Sequence, residues 1–198
     1  MEAHFQEIPE NGADVAHLAV LHVPFIVEWL GRVLSLEHTW TASWDVGGPD
    51  APHTSAISLT QGVSVKGWEI PITVIPVQIN QLGPGIVHLH FDTPFGRCFV
   101  IECVTPLSLM LQQASHIVFA ERRVPRWFAK FVLRGLVIQF ERDIPIWNNK
   151  TYISRPLLVR GDGKIPAFRR WYSQFYSNPS SAKAAQASQA MPQAQLEW

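Results

Sequence analysis

The sequence predicts an α+β fold in which a curved antiparallel sheet wraps one long C-terminal helix. Three observations predict it. From His38 to Ala120 the chain falls into short runs rich in β-branched and aromatic residues, separated by Gly, Pro and Asp turn signals. The stretch that follows, "RRVPRWFAKFVLRGLVIQFERDIPIWNNK", repeats apolar residues at three- and four-residue spacing, the period of a helix with one buried face. A shorter helical segment precedes the strands. Helix, sheet and long helix make a two-layer arrangement with room for a cavity between the layers.

The elements follow in order. After a polar lead, Asp14 to Leu36 reads as helical, interrupted near Pro24. "HTWTASW", "HTSAISLTQGVSV", "WEIPITVIPVQINQ", "GIVHLHFDTP", "GRCFVIECVTP" and "SLMLQQASHIVFA" read as five or six antiparallel strands, with "VGGPDAP", "LGPG" and "DTPFG" among the turns. The long helix is expected to end around Asp143 to Pro145, because a proline disfavours helix at the residue before it. "PAFRRWYSQFYS" predicts a further short helix. From Pro179 onward, "PSSAKAAQASQAMPQAQ" is low in complexity and charge and predicts disorder.

The 198 residues suffice for one domain with a sizeable core. Sixteen basic residues balance sixteen acidic ones, so no net field favours nucleic acid. Cys98 and Cys103, five residues apart in one strand, fall on opposite faces and are not expected to bridge. The polar start carries no secretory h-region, and the longest apolar run is broken by Lys130 and Arg134. The chain as given is therefore expected to be soluble or peripheral.

The segment "ENGADVAHLAVLH" gathers Asp14, His17 and His22 in a window with little other charge. His17 and His22 are five residues apart, which in a regular helix rotates them by about 140°. A π-bulge would bring both imidazoles onto one face, where they could share iron, zinc or copper. The same letters also suit a helix N-cap aspartate and two packed histidines, and the residues alone leave both readings open. His88 and His90 alternate in "VHLHF" and share a sheet face that could line a cavity.

That segment also resembles the mononuclear-iron motif of Rieske-type oxygenases, an acid followed by Asp-x-x-His-x-x-x-x-His. The similarity is nearest to the cholesterol 7-desaturases of the Neverland type, with 3-ketosteroid 9α-hydroxylases as bacterial relatives. "HTWTASW", "LGPGIVHLHFDTPFGRCFVIECVTP", "RWFAKFVLRGLVIQFERDIPIWNNK" and "IPAFRRWYSQFY" resemble the same catalytic domain in the same order, over roughly residues 5 to 177. The resemblance implies a START-like, helix-grip catalytic domain over residues 1–178, followed by the tail 179–198. It implies a mononuclear Fe(2+) held by His17, His22 and Asp143, with Glu141 as the competing carboxylate. Asp14 would not be a ligand; it would hydrogen-bond His17 and pass electrons from a Rieske-cluster histidine of a neighbouring subunit.

The implied reaction is the oxygen- and NAD(P)H-dependent 7,8-dehydrogenation of cholesterol to 7-dehydrocholesterol in steroid hormone biosynthesis. The implied partners are a sterol, O2, an electron-transfer reductase and a [2Fe–2S] Rieske domain, in a possible homotrimer associated with the endoplasmic reticulum membrane. Trp40, Trp44, Phe91, Phe119 and Phe140 are the aromatic residues to consider for the pocket. A Rieske cluster needs Cys-x-His and Cys-x-x-His, and neither cysteine has a histidine at those offsets. The cluster and the family's membrane anchor are therefore expected in a longer chain of which this is a piece. The alternatives are a redox-inactive sterol- or lipid-binding module, or a degenerate product without its electron input.

Overall fold

A computed structural model describes residues 1–22, 36–151, 153, 157 and 164–177. The predicted disordered tail lies outside the described residues, as does the second half of the predicted first helix. Of that helix, the described part is one short turn. Two brief helices, α1 (Glu7–Glu10) and α2 (His17–Leu21), open the chain, and Asp14 sits in the turns between them.

Seven antiparallel strands follow: β1 (Leu36–Val46), β2 (Thr54–Val65), β3 (Trp68–Glu69), β4 (Ile75–Leu82), β5 (Ile86–Thr93), β6 (Gly96–Ser108) and β7 (Leu111–Ala120). They form one sheet in the order β1-β2-β4-β5-β6-β7, with the two-residue β3 paired to the end of β2. The segment expected to be a single strand, "WEIPITVIPVQINQ", is divided into β3, a short 3-10 turn at Pro71–Thr73, and β4. Pro71 has no N–H for a ladder, and its fixed φ suits the first position of a helical turn. The β2–β3 hairpin closes through Lys66 and Gly67, both at positive φ (50° and 81°), as a two-residue turn between Val65 and Trp68 requires.

Helix α3 (Arg126–Asn149) crosses the sheet. Its Phe128, Ala129, Val132 and Leu136 pack on Val77, Leu89, Phe91, Cys98 and Val100 from the middle of β4–β6. Further along, Phe140, Ile144 and Trp147 pack with Ala3, Ile8 and Val104. The helix does not stop at Asp143–Pro145 but runs through Pro145. Proline removes one backbone donor and crowds the preceding turn. Burial of Trp147, 3% exposed, on the far side of Pro145 offsets that cost. The last helix, α4 (Ile165–Tyr172), inserts Phe168, Trp171 and Tyr172 into a third cluster with Ala13, Trp44 and Ile57.

Cys98 and Cys103 are both free thiols. The strand alternation puts Leu89 and Phe91 on the α3 side, so His88 and His90 face the other way. They lie against Phe99 on the outer face, at ring separations of 4.9 Å and 4.8 Å, and line no cavity under the helix. No described helix is long and apolar enough to cross a membrane.

Candidate metal centre

The front segment reaches the sheet because Glu10, 4% exposed, is gripped by α4. Arg169 donates from Nε to Glu10 Oε2 (2.8 Å) and from Nη2 to Oε1 (2.7 Å), while the Gln6 amide donates to Oε2 at 3.1 Å. The Glu10 carbonyl accepts from the N–H groups of Ala13 and Asp14. Gly12 lies so close to the sheet that an added Cβ would meet Ile57 at 2.7 Å. These contacts fix where α2 begins.

His17 is the first residue of α2 and His22 is the residue just past its end. The backbone of His22 leaves the helical region, with φ −102° and ψ 41°. That departure, rather than the expected π-bulge, brings the rings together: their centroids are 4.8 Å apart and nearly perpendicular. The Arg142 guanidinium on α3 donates to the Leu21 carbonyl at 3.3 Å, tying the end of α2 to the long helix.

Asp143 comes to the same place from α3. It lies on the helix's apolar stripe, among Phe140, Ile144 and Trp147, and is 4% exposed. Its Oδ1 and Oδ2 each stand 3.1 Å from His22 Nε2. The competing carboxylate, Glu141, is on the exposed face of α3. One ligand atom from each of His17, His22 and Asp143 lies within 4.8 Å of the others. Around one ion with metal–N and metal–O bonds of about 2.0–2.2 Å, neighbouring donors stand about 3 Å apart. The three residues need only a small inward adjustment to reach that spacing.

His17 is in a suitable state. His17 Nδ1 donates to the Asp14 main-chain carbonyl, which leaves Nε2 as the free electron pair. Burial pulls the His17 imidazole below its ordinary value, against the opposing effect of that hydrogen bond, and so favours the neutral, ligating form. Asp14 thus touches His17 through its main chain. Its carboxylate is half-buried and caps no helix, since the residue before α2 is Ala16.

Beside His22 is a small cleft of about 60 Å³, lined by Leu18, Trp40, Leu59, Gln61 and Gln139. Of the aromatic residues considered from the sequence, only Trp40 lines it. Trp44 is buried and donates to Ser55 and Gln81, Phe91 belongs to the central core, and Phe140 meets Trp147 edge to face. Phe119 lies on the outer sheet face, 53% exposed. Sequence reasoning missed two polar arrangements, the Glu10–Arg169 grip and a Glu102–His116 pair. In the latter, His116 Nε2 and Glu102 Oε2 are 3.0 Å apart, with the His116 ring against Phe140. Sequence spacing carries no signal for the first; the second needs the β6–β7 register.

The fold and cluster define a class: an α+β domain whose long helix delivers a carboxylate to two histidines of the N-terminal segment, as a single divalent cation would require. The profile of the 3-ketosteroid 9α-hydroxylase C-terminal domain matches residues 1–176. The chain is 42% identical over 188 residues to the cholesterol 7-desaturase nvd of Xenopus laevis, covering 91% of this chain and 41% of that protein. It is 39% identical to the cholesterol 7-desaturase of Caenorhabditis elegans (89% and 44%). It is also 39% identical to a probable 3-ketosteroid-9-alpha-monooxygenase oxygenase component of Rhodococcus rhodochrous (88% and 44%). The chain belongs to this family of Rieske-type oxygenase enzymes, as a catalytic domain of the Neverland type. It spans less than half the length of these relatives.

Proposed function

We propose that residues 1–178 are the catalytic domain of a sterol oxygenase that acts as a cholesterol 7-desaturase, with one ferrous ion on His17, His22 and Asp143. The observation that carries this reading is the convergence of those three donors within 4.8 Å in a chain of this family. Two imidazoles and one carboxylate on one side of an ion leave the other positions open, the donor set of non-heme iron oxygenases. When bound, iron would supply the activation of O2, and this chain supplies the ligands and the site around them. His17 presents Nε2 because the Asp14 carbonyl holds Nδ1–H. Asp143, buried on α3, supplies the negative charge.

The cleft beside His22 takes the apolar face of a sterol, with Trp40, Leu18 and Leu59 excluding water from the reacting carbon. As it stands, the cleft is well below the size of ligand sites, about 300–1,000 Å³. Sterol entry therefore requires it to widen. The Asp14 carboxylate, next to His17, is the point at which electrons arrive. They come from NAD(P)H through a reductase and a [2Fe–2S] Rieske domain, in the longer chain or a neighbouring subunit of a homotrimer. The sheet on its long helix suits a START-like, helix-grip architecture. The whole protein is placed at the endoplasmic reticulum membrane, facing the cytosol.

Metal content tests the core of this reading. After anaerobic loading with Fe(2+) or Co(2+), the purified chain should hold one ion. His17→Ala, His22→Ala and Asp143→Asn should each lose it, while Glu141→Gln keeps it. Stoichiometric sterol binding with no ion retained would favour the redox-inactive lipid-binding module instead.

A further inference from the structure

We propose that an aromatic ridge at the N-terminal end of α3 docks this domain onto an anionic lipid bilayer. The ridge is built from two places in the fold. Phe95 projects from the tight turn between β5 and β6, where Thr93 pairs with Gly96 and Gly96 takes the positive φ of 129° that closes the turn. Trp127, Phe128 and Phe131 come from the first turns of α3. Their rings touch in series: Phe95 to Trp127 at 5.7 Å, Phe95 to Phe128 at 4.7 Å, and Phe128 to Phe131 at 6.1 Å. Phe128 roots the ridge in the core. Phe95, Trp127 and Phe131 remain 42%, 63% and 44% exposed. Scattered exposed rings are ordinary on a protein surface, but a contiguous set of touching rings marks a contact surface.

The charges around the ridge identify the contact. Arg126, Lys130 and Arg134 recur every four residues along α3, all exposed, beside Trp127 and Phe131. At about 100° per residue these five side chains occupy one arc of about 140°. Arg97, Arg122 and Arg123 flank the ridge on the loop side and are exposed as well. The six cations are drawn from sixteen in a chain with no net charge, so the asymmetry is local. Near the ridge stand the carboxylates of Asp92 and Glu121, with Glu141 farther along α3, and Glu121 is already engaged by Arg97 and Arg123 at 2.8 Å each.

Rings that reach the acyl boundary, bordered by cations whose alkyl stems lie along it and whose heads meet phosphate, are the arrangement of an interfacial helix. Asp143 lies sixteen residues beyond Trp127 and twelve beyond Phe131 on the same helix, about 18–24 Å away. Docking through the ridge would hold the candidate metal centre within one sterol-sized path of a lipid phase. The docking itself needs neither the metal nor the desaturase reading.

Cosedimentation of the 198-residue chain with phosphatidylcholine vesicles, with and without phosphatidylserine, tests the proposal. Binding should require phosphatidylserine and weaken as salt rises. Trp127→Ala with Phe131→Ala should lower the apparent affinity by about tenfold or more, and so should Arg126→Gln with Lys130→Gln and Arg134→Gln. All these residues are exposed, so far-UV circular dichroism and metal content should not change. Leu107→Ala is the control: Leu107 is 58% exposed but stands at the far end of β6 from the Phe95 turn. Failure to bind phosphatidylserine vesicles would overturn the proposal, and so would binding that both ridge variants leave intact or that Leu107→Ala weakens equally. An acidic protein partner captured by the ridge, without vesicle affinity, would also overturn it.

Discussion

Arg169→Met should destabilise the domain severely, although residue 169 lies far from His17 in sequence. The change removes the guanidinium and keeps an apolar stem of similar length. It leaves the Glu10 carboxylate, 4% exposed, with only the Gln6 amide at 3.1 Å in place of two further charge-assisted bonds of 2.8 and 2.7 Å. Breaking one side of a buried ion pair costs about 3–5 kcal/mol, mostly because the remaining charge is stranded. For a domain of this size each kcal/mol shifts Tm by about 2–4 °C, so a fall of roughly 6–20 °C is expected. Thermal and urea unfolding followed by circular dichroism would measure it. The decisive comparison is Glu10→Gln with Arg169→Met, which removes both charges and should recover much of the loss. A single variant within about 1 kcal/mol of the parent would refute the reasoning. So would a double variant no better than the single one.

Two further predictions concern the same end of the molecule. Glu7 is fully buried, and burial pushes its carboxyl above the ordinary 4.5 despite the Lys150 ammonium 3.4 Å away. The folded state then holds the proton more tightly than the unfolded chain, so the stability Glu7 contributes is present below pH 4.5 and is lost as pH rises through the folded value. Glu7→Gln should therefore stabilise the domain near neutrality, by about 1–2 kcal/mol, with the gain shrinking toward acid. Urea unfolding across that range checks it, and a pH-independent difference would contradict it. Pro145→Ala should restore a backbone donor inside α3 and raise stability by about 1–2 kcal/mol in the same assay, after allowing for the freer unfolded chain. A loss of stability would mean that the proline's shape is needed where α3 meets the N-terminal segment.

These perturbations show which parts of the molecule were legible in advance. Most of the strands follow from local chemistry, because β-branched runs between turn residues leave few alternatives, but the break between β3 and β4 at Pro71 does not. Asp143 is preferred to Glu141 only through the family resemblance, which puts an Asp before the "IW" pair; the residues alone read both acids as a solvated helix end. Local pattern was less informative wherever burial outweighed propensity. Pro145 was expected to end α3, but Trp147 beyond it has a core to enter. His88 and His90 were correctly placed on one sheet face, yet alternation alone does not say which face the helix covers.

The sequence by itself placed Asp14, His17 and His22 in one short window; Asp143 joined them through the family resemblance, and its burial is a finding of the structure. The sequence also determined the antiparallel sheet and the long helix through their two periodicities. Only the tertiary structure decided that His22 and Asp143, separated by 121 residues, stand 3.1 Å apart. It also decided that a helix ending at Leu21, not a π-bulge, turns the two imidazoles together, and that Arg169 reaches back 159 residues to hold Glu10. Period and propensity report how a residue sits on its own element. Which elements meet, and at what register, is set by packing and by buried charges satisfying one another across the whole chain.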